Sequence, residues 1–304
     1  MIFVAKNGKD SNNPLHGLGA LINRELTKWF KNPVVFIITI VQPVFWLGLL
    51  GKGMNLSGLF TANHFPSLTL NPPPAQQQLI QINAYFSSLQ SHIMTNLFGV
   101  PDYFSFVACG IIIMLTLMAT TYSSTSVVLD RRFGFIDKLL STSVSKTTVI
   151  ISKIISGTLR ALVQAVILLG IAFLFGLTTG TNFSPLSILG VVAIIFLFGM
   201  GMSSIFVAAS LRSTRLETQS AFINFVNMPL VFASSAFFPA SLMPSWLQTV
   251  VNANPTSYAI DAIRRFLIDS SGLGNVAVDF LYVGAFAIIT TTISIVLSWR
   301  FLSK

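Results

Sequence analysis

The chain has 304 residues, of which 53% are hydrophobic and only 9% charged, against roughly 25% charged in soluble globular proteins. With a mean hydropathy of +0.76, this excludes a soluble enzyme, and it excludes a nucleic-acid binder despite a formal net charge of +9. Eighteen basic residues stand against nine acidic ones, and the excess reads as an orientation signal for a membrane protein, because Lys and Arg concentrate in cytoplasmic segments.

The first ~30 residues are polar and are expected to carry no cleavable leader. Within them, over Leu15–Lys31, Leu18, Leu21, Ile22, Leu26 and Trp29 fall at helical spacing on one stripe. Arg24, Lys28 and Lys31 lie off it, and Asn32-Pro33 ends the helix. The pattern predicts an N-terminal amphipathic helix lying in the membrane interface. It serves either as a passive anchor or as a lever moved by a cytoplasmic partner.

Six apolar segments follow, at Val34–Gly51, Phe104–Leu129, Ala161–Leu177, Leu186–Leu211, Gln219–Phe238 and Val276–Trp299. Each is near the ~20 residues that cross a bilayer as a helix, and each is too continuous for a barrel strand. The expected fold is an all-α integral membrane protein with six transmembrane helices. Pro43 and Pro229 should kink their helices. Gln164, Asn224 and Asn227 are the notable polar groups within spans, suited to interhelical hydrogen bonds or to substrate contact.

Sorting the charges gives the topology. Fifteen basic residues fall before span 1, between spans 2 and 3, between spans 4 and 5, and after span 6; only Lys52, Arg264 and Arg265 fall on the other side. Both termini are therefore expected in the cytoplasm. Residues 52–103 become a long outer loop containing Pro72-Pro73-Pro74 and Gln76-Gln77-Gln78, with a short amphipathic helix expected over Leu79–Phe98. The outer segment 239–275 carries Leu242, Trp246, Leu247, Val250 and Val251 at helical spacing, then Pro255, then Tyr258, Ile263, Phe266 and Leu267. It predicts two re-entrant outer helices between spans 5 and 6. Two N-x-S triplets, at Asn55 and Asn182, both fall on the outer side.

Between spans 2 and 3, Phe133, Ile136, Leu139 and Leu140 share one helical face, with Asp137 and Lys138 off it. This Asp130–Lys153 loop is either a topogenic charge cluster or a docking knob for a cytoplasmic protein. Catalytic chemistry finds no footing. His16, His64 and His92 lack ligand spacing, Cys109 stands alone, and no phosphate-binding G-x-x-x-x-G-K-[ST] occurs. The chain itself is expected to bind neither ATP nor a metal. No carboxylate lies inside an apolar core, which argues against an ion-driven carrier.

Four stretches carry a resemblance: Gln42-Pro43-Val44-Phe45-Trp46; Asp130-Arg131-Arg132-Phe133-Gly134 with the aliphatic turn after it; Phe237-Phe238-Pro239 followed by Pro244-Ser245-Trp246-Leu247; and Asn254-Pro255-Thr256-Ser257-Tyr258 running on to Asp261 and Arg264. In this order, on a six-span layout, they resemble the membrane subunits of ABC-2 type exporters, especially the daunorubicin-resistance-like permeases. Arg132, Ser143 and Lys146 depart from the Glu, Pro and Arg usual in that family.

The resemblance implies a non-catalytic permease subunit of type V exporter fold, in a prokaryotic plasma membrane. It implies a second copy as homodimer partner and two copies of an ABC ATP-binding subunit, which would carry ATP and Mg. The coupling interface would use Asp130, Arg131, Arg132, Phe133, Gly134, Phe135, Asp137, Lys138, Leu139 and Lys146, and the connecting helix Arg24, Lys28 and Trp29. Asn254, Pro255, Tyr258, Asp261 and Arg264 would form an outer gate. Met114, Met118, Thr121, Asn224, Phe225 and Met228 would line a path for an amphipathic, lipid-like or drug-like cargo. The alternative is a secondary transporter or channel not driven by ATP.

Overall fold

The structure is a computed structural model that describes residues 17–53, 94–100, 102–181, 183–268 and 276–301, with scattered positions between 80 and 92. The two N-x-S asparagines lie outside the described residues, as do seven of the twenty positions of the expected Leu79–Phe98 helix; its described positions are helical. Those described are helical or connecting.

Helix α1 (Leu18–Phe30) stops at the Asn32-Pro33 step, and the Asn32 side chain then caps α2 (Pro33–Trp46) by accepting from the Val35 amide. Pro43 does not end α2. The helix widens after it into a π-helical segment, Leu47–Gly53, a common response to a lost donor within an apolar helix. A second π-helical turn, Met94–Phe98, leads into α3 (Tyr103–Arg132), capped by Asp102 through the Ser105 amide at 2.8 Å. Helix α4 (Phe135–Leu140) is short. Then come α5 (Lys146–Leu174), α6 (Pro185–Ser210) and α7 (Leu216–Phe232). After a 3₁₀ turn at Ala240–Leu242, α8 (Ser245–Ala253), α9 (Pro255–Leu267) and α10 (Val276–Phe301) complete the chain.

Five of these stretches are long and apolar enough to cross a membrane: the α2 segment to Gly53, the one ending in α3, and α5, α6 and α10. The protein is an all-helical, multi-pass membrane protein. The fifth expected span, Gln219–Phe238, is instead a 17-residue helix starting at Leu216 and ending at Phe232. Pro229 lies in its last turn, and the following Ala233–Pro239 leaves helical geometry. The third expected span begins far earlier than its hydropathy suggested. Residues 146–160, read as loop, are the first half of α5, where Lys153 pairs with Glu25 and Asp130 and Thr147 accepts from Trp299 of α10.

Helix α3 is the centre of the bundle and is buried over most of its length. It packs along α5 and α6, and α6 packs along α10. A large apolar core fills this contact. A smaller one joins Val127, Ile136, Ile150, Ile154, Val207 and Leu211, with Leu297 and Phe301 beside them. The second core brings α4 together with the ends of α3, α6 and α10 and the start of α5. This end carries most of the cations and is called the basic end below. Helices α2 and α10 turn Ile37, Val41, Phe45, Ile288, Ile289 and Val296 outward, as expected of surfaces that face lipid rather than water.

A close helix contact lies at Gly157 of α5. A Cβ there would overlap Ser123 Oγ of α3 and come within 3.0 Å of Ser203 Oγ of α6. Small residues let membrane helices approach this closely. The Gly157→Leu variant should lose about 1–3 kcal/mol through overpacking, read as a lower thermal midpoint of the detergent-purified protein. An unchanged midpoint would show that the three helices are not packed at this crossing.

Candidate functional site

At the basic end, six side chains from three helices converge, and the innermost of them have little access to water. Lys153 of α5 lies between two carboxylates. Its ammonium is 3.0 Å from Glu25 Oε1 of α1, and it is also paired with Asp130 of α3. It donates to Ser126 Oγ at 2.7 Å, and that hydroxyl donates to Glu25 Oε2 at 2.7 Å. Arg24 reaches Glu25 at 2.8 Å and forks onto both oxygens of Asp130 at 3.2 Å. Lys28 stands 3.5 Å from each carboxylate. The Lys153 and Glu25 side chains are each 3% exposed, the Asp130 side chain 8%.

Burial alone would raise the Glu25 carboxyl. The Lys153 ammonium, the Ser126 hydroxyl and Lys28 outweigh it and hold Glu25 below the ordinary carboxylate range. Its contribution to stability is therefore present at neutral pH and is lost as pH falls through that lowered value.

The cluster reaches α4 through one more contact. The Arg24 guanidinium lies over the Phe135 ring at 3.6 Å, a cation–π contact. Gly134, at φ 65°, makes the turn that puts Phe135 there, a conformation that costs glycine little. Ile136 faces inward, while Asp137 and Lys138 are exposed. Phe133, just before the glycine, is 74% exposed. It does not share an apolar face with Ile136, because it terminates α3 instead of belonging to α4.

From the middle of the bundle toward the α9 end, α2, α3, α7 and the stretch after it border an open cavity of about 540 Å³. Its walls are mostly apolar and include Trp46, Met114, Met118, Met228, Phe237 and Phe238. Asn224 and Asn227 supply the amide groups, and Asn227 Oδ1 has no hydrogen-bond partner. Gln219 is tied to Ser124 of α3, and Gln164 donates to Thr39 Oγ1 of α2 at 2.9 Å. Those two amides are interhelical ties.

The far end is held by α9. Asn254 caps α9 through the Thr256 amide and donates its Nδ2 to the carbonyls of Leu230 (2.9 Å) and Ala233 (2.6 Å). Arg264 donates to the carbonyls of Phe106, Ser235 and Ala236, pairs with Asp261 at 3.2 Å, and lies 3.5 Å over the Phe106 ring. Where α7 ends, Asn254 thus donates to carbonyls of its last turn and cap, and Arg264 to those of the irregular stretch after it. Tyr258 stacks on Tyr282 of α10 at 3.9 Å.

Residues 16–268 match the ABC-2 type transporter family. The chain belongs to that family. It is similar to the putative transport permease ycf38 of Pyropia yezoensis, 29% identical over 84% of this chain and 75% of the relative. It is similar to the ycf38 permease of Porphyra purpurea, 30% identical over 81% and 72%. It is also similar to the daunorubicin resistance ABC transporter permease protein DrrB1 of Streptomyces coeruleorubidus, 27% identical over 60% and 66%. It is a permease subunit, and the family implies a partnering ATP-binding subunit.

In this ABC-2 permease the expected residues distribute unevenly. Arg24, Lys28, Asp130 and Phe135 meet in one cluster, with Trp29 buried one turn beyond Glu25. Asp130, Arg131 and Arg132 are the last turn of α3, and Lys146 is the first residue of α5. Arg132 is exposed, and Leu139 is partly buried. Met114, Met118, Asn224 and Met228 line the cavity. Thr121 does not: its hydroxyl bonds back to the Met118 carbonyl. Phe225 does not either, since it lies on the outward face of α7 and is 77% exposed.

Glu25 and Lys153 are missing from the expected set, although they anchor the cluster. Glu25 was legible: it lies four residues after Leu21 and four before Trp29, on the buried stripe itself. Lys153 was counted as a loop charge, and only the packing of α5 against α1 and α3 shows otherwise.

Proposed function

We propose that this permease exports an amphipathic, lipid-like or drug-like molecule, and that the basic end faces the cytoplasm and takes up force from the ATP-binding subunit. The observation that carries this reading is the buried ion cluster. It ties the connecting helix α1 to α3 and α5, and through Arg24 to the α4 turn. A push on α4 is thereby passed to α3, a wall of the cavity, through packed side chains rather than through a mobile loop. That is a two-state element whose balance a partner can bias.

The distribution of basic residues supports the orientation, since fifteen of eighteen fall on the α4 side. With α7 and the irregular stretch after it counted as a sixth crossing, both termini lie in the cytoplasm and α8 with α9 dip into the outer leaflet. The backbone at Ala233–Ala236 needs protein donors at membrane depth, and Asn254 and Arg264 supply them. A second copy opposite α7 would cover Phe225 and Met228 and close the cavity into a shared path. Two ATP-binding subunits, holding ATP and Mg, would then complete the exporter in a cell membrane. The apolar cavity with its unsatisfied Asn227 acceptor suits a cargo with an apolar body and a hydrogen-bond donor. The daunorubicin resistance for which the Streptomyces relative is named is in keeping with such a cargo.

The test uses exposed residues, so that folding is spared. Phe133→Asp together with Lys138→Glu should leave the permease inserted and thermally unchanged, yet reduce co-purification of the ATP-binding subunit by about tenfold or more, as for loss of a buried aromatic anchor. Normal co-purification would overturn the assignment of the α4 turn as the docking point.

A further inference from the structure

A second, separate groove opens between α6, α7 and α10 at the basic end. Its volume is about 400 Å³, and its lining includes Ile205, Ala209, Phe222, Ile293, Leu297 and Arg212. It shares no lining residue with the α2–α3–α7 cavity. We propose that this groove is a binding site for one anionic phospholipid of the adjoining leaflet, with an acyl chain between the helices and the phosphate on Arg212.

Length is the first argument. Along α6 and its end the groove runs from Ile205 to Arg212, about 10 Å of helix; along α10 it runs from Thr290 to Phe301, about 16 Å. Half of a ~30 Å hydrocarbon core is about 15 Å, so the groove has the depth of a single leaflet. It also opens sideways, with Phe222 and Ile293 39% and 51% exposed on its lips.

Chemistry is the second. The one hydroxyl in the wall, Thr290, is satisfied by the carbonyls of Phe286 and Ala287. The walls therefore offer an occupant dispersion contacts and no hydrogen bonds, which fits an acyl chain better than a polar cargo or a helix with side-chain amides. At the mouth, Arg212 lies 5.2 Å over the Phe301 ring. Among the described residues it pairs with no carboxylate, Glu217 in the first turn of α7 included. An exposed guanidinium at the end of an apolar slot, at the depth where head groups lie, is the complement of a phosphodiester with a tail. The inference needs only that these helices cross the membrane, and it does not depend on the direction of transport.

The test is native mass spectrometry of the full permease complex after reconstitution in mixed phosphatidylcholine and phosphatidylglycerol, then transfer to mild detergent. Wild type should retain one phosphatidylglycerol per permease chain in preference to phosphatidylcholine. Arg212→Gln should reduce that retention about fivefold, the effect of one basic residue near a head group. Ile293→Trp, at a half-exposed position that tolerates bulk, should fill the slot and abolish retention of both lipids. Equal retention of the two lipids by wild type, or unchanged phosphatidylglycerol in both variants, would overturn the site. So would a dimer that retains no lipid and comes apart in Ile293→Trp, because a second copy would then occupy the groove. A failure of transport or docking with lipid retention intact would touch the proposed function and leave this site standing.

Discussion

Lys153→Met is expected to be among the most damaging single changes in the protein. It removes the most buried cation from a cluster that holds Glu25 and Asp130 out of water. Arg24 and Lys28 remain, but their side chains are 28% and 49% exposed and only partly compensate. Removing one partner of a buried ion pair costs about 3–5 kcal/mol, because the other charge stays buried. The thermal midpoint in detergent should fall by roughly 10 °C, taking 2–4 °C per kcal/mol for a chain of this size. The defect should change little with added salt, since screening acts on exposed charges.

A companion variant separates stability from coupling. In Glu25→Gln/Asp130→Asn/Lys153→Met the three most buried charges go, leaving only the more exposed Arg24 and Lys28, which can turn to solvent, so most of the stability should return. Cargo-stimulated ATP hydrolysis by the assembled complex should stay low, because the tie between α1, α3 and α5 is gone. If Lys153→Met were as stable and as well coupled as wild type, the cluster would have no part in transmission.

Arg264→Ala should be comparably severe, for a different reason. Its guanidinium serves the carbonyls of Phe106, Ser235 and Ala236 together with Asp261, and it covers the Phe106 ring. An unpaired buried carbonyl costs about 1–3 kcal/mol, and the guanidinium serves three of them at once. A total loss of about 3–5 kcal/mol is expected, with protease cleavage appearing in the 233–243 segment once α7 is no longer held. Arg264→Lys should rescue only part of this, because an ammonium cannot fork across carbonyls as a planar guanidinium does. Wild-type protease resistance in Arg264→Ala would show that the end of α7 is held by other contacts.

Both variants probe features that the sequence presented only in part. Asn254, Asp261 and Arg264 stood out as a motif with a gating role. The geometry gives two of them a more basic duty, namely to satisfy backbone where a helix comes apart. The Asp130-Arg131-Arg132-Phe133-Gly134 stretch pointed to the right place. Its apolar face was misread at Phe133, because periodicity was carried across a glycine whose positive φ starts a new helix.

The sequence by itself determined the class of the protein. Apolar runs near bilayer length and few charges leave helices as the only way to satisfy the backbone in lipid. It also placed α1, α4 and α9, because amphipathic spacing, Asn-Pro steps and glycine turns are local signals. It could not show that Lys153 and Glu25 are buried against each other, since those residues are 128 positions apart and a charge near a span reads the same whether it faces water or a carboxylate. It could not end α7 at Phe232 either, where hydropathy continues unbroken and the helix stops where Asn254 and Arg264 donate to the carbonyls set free. Hydropathy reports the solvent a segment prefers. Which polar groups escape that rule is decided only when tertiary packing supplies their partners.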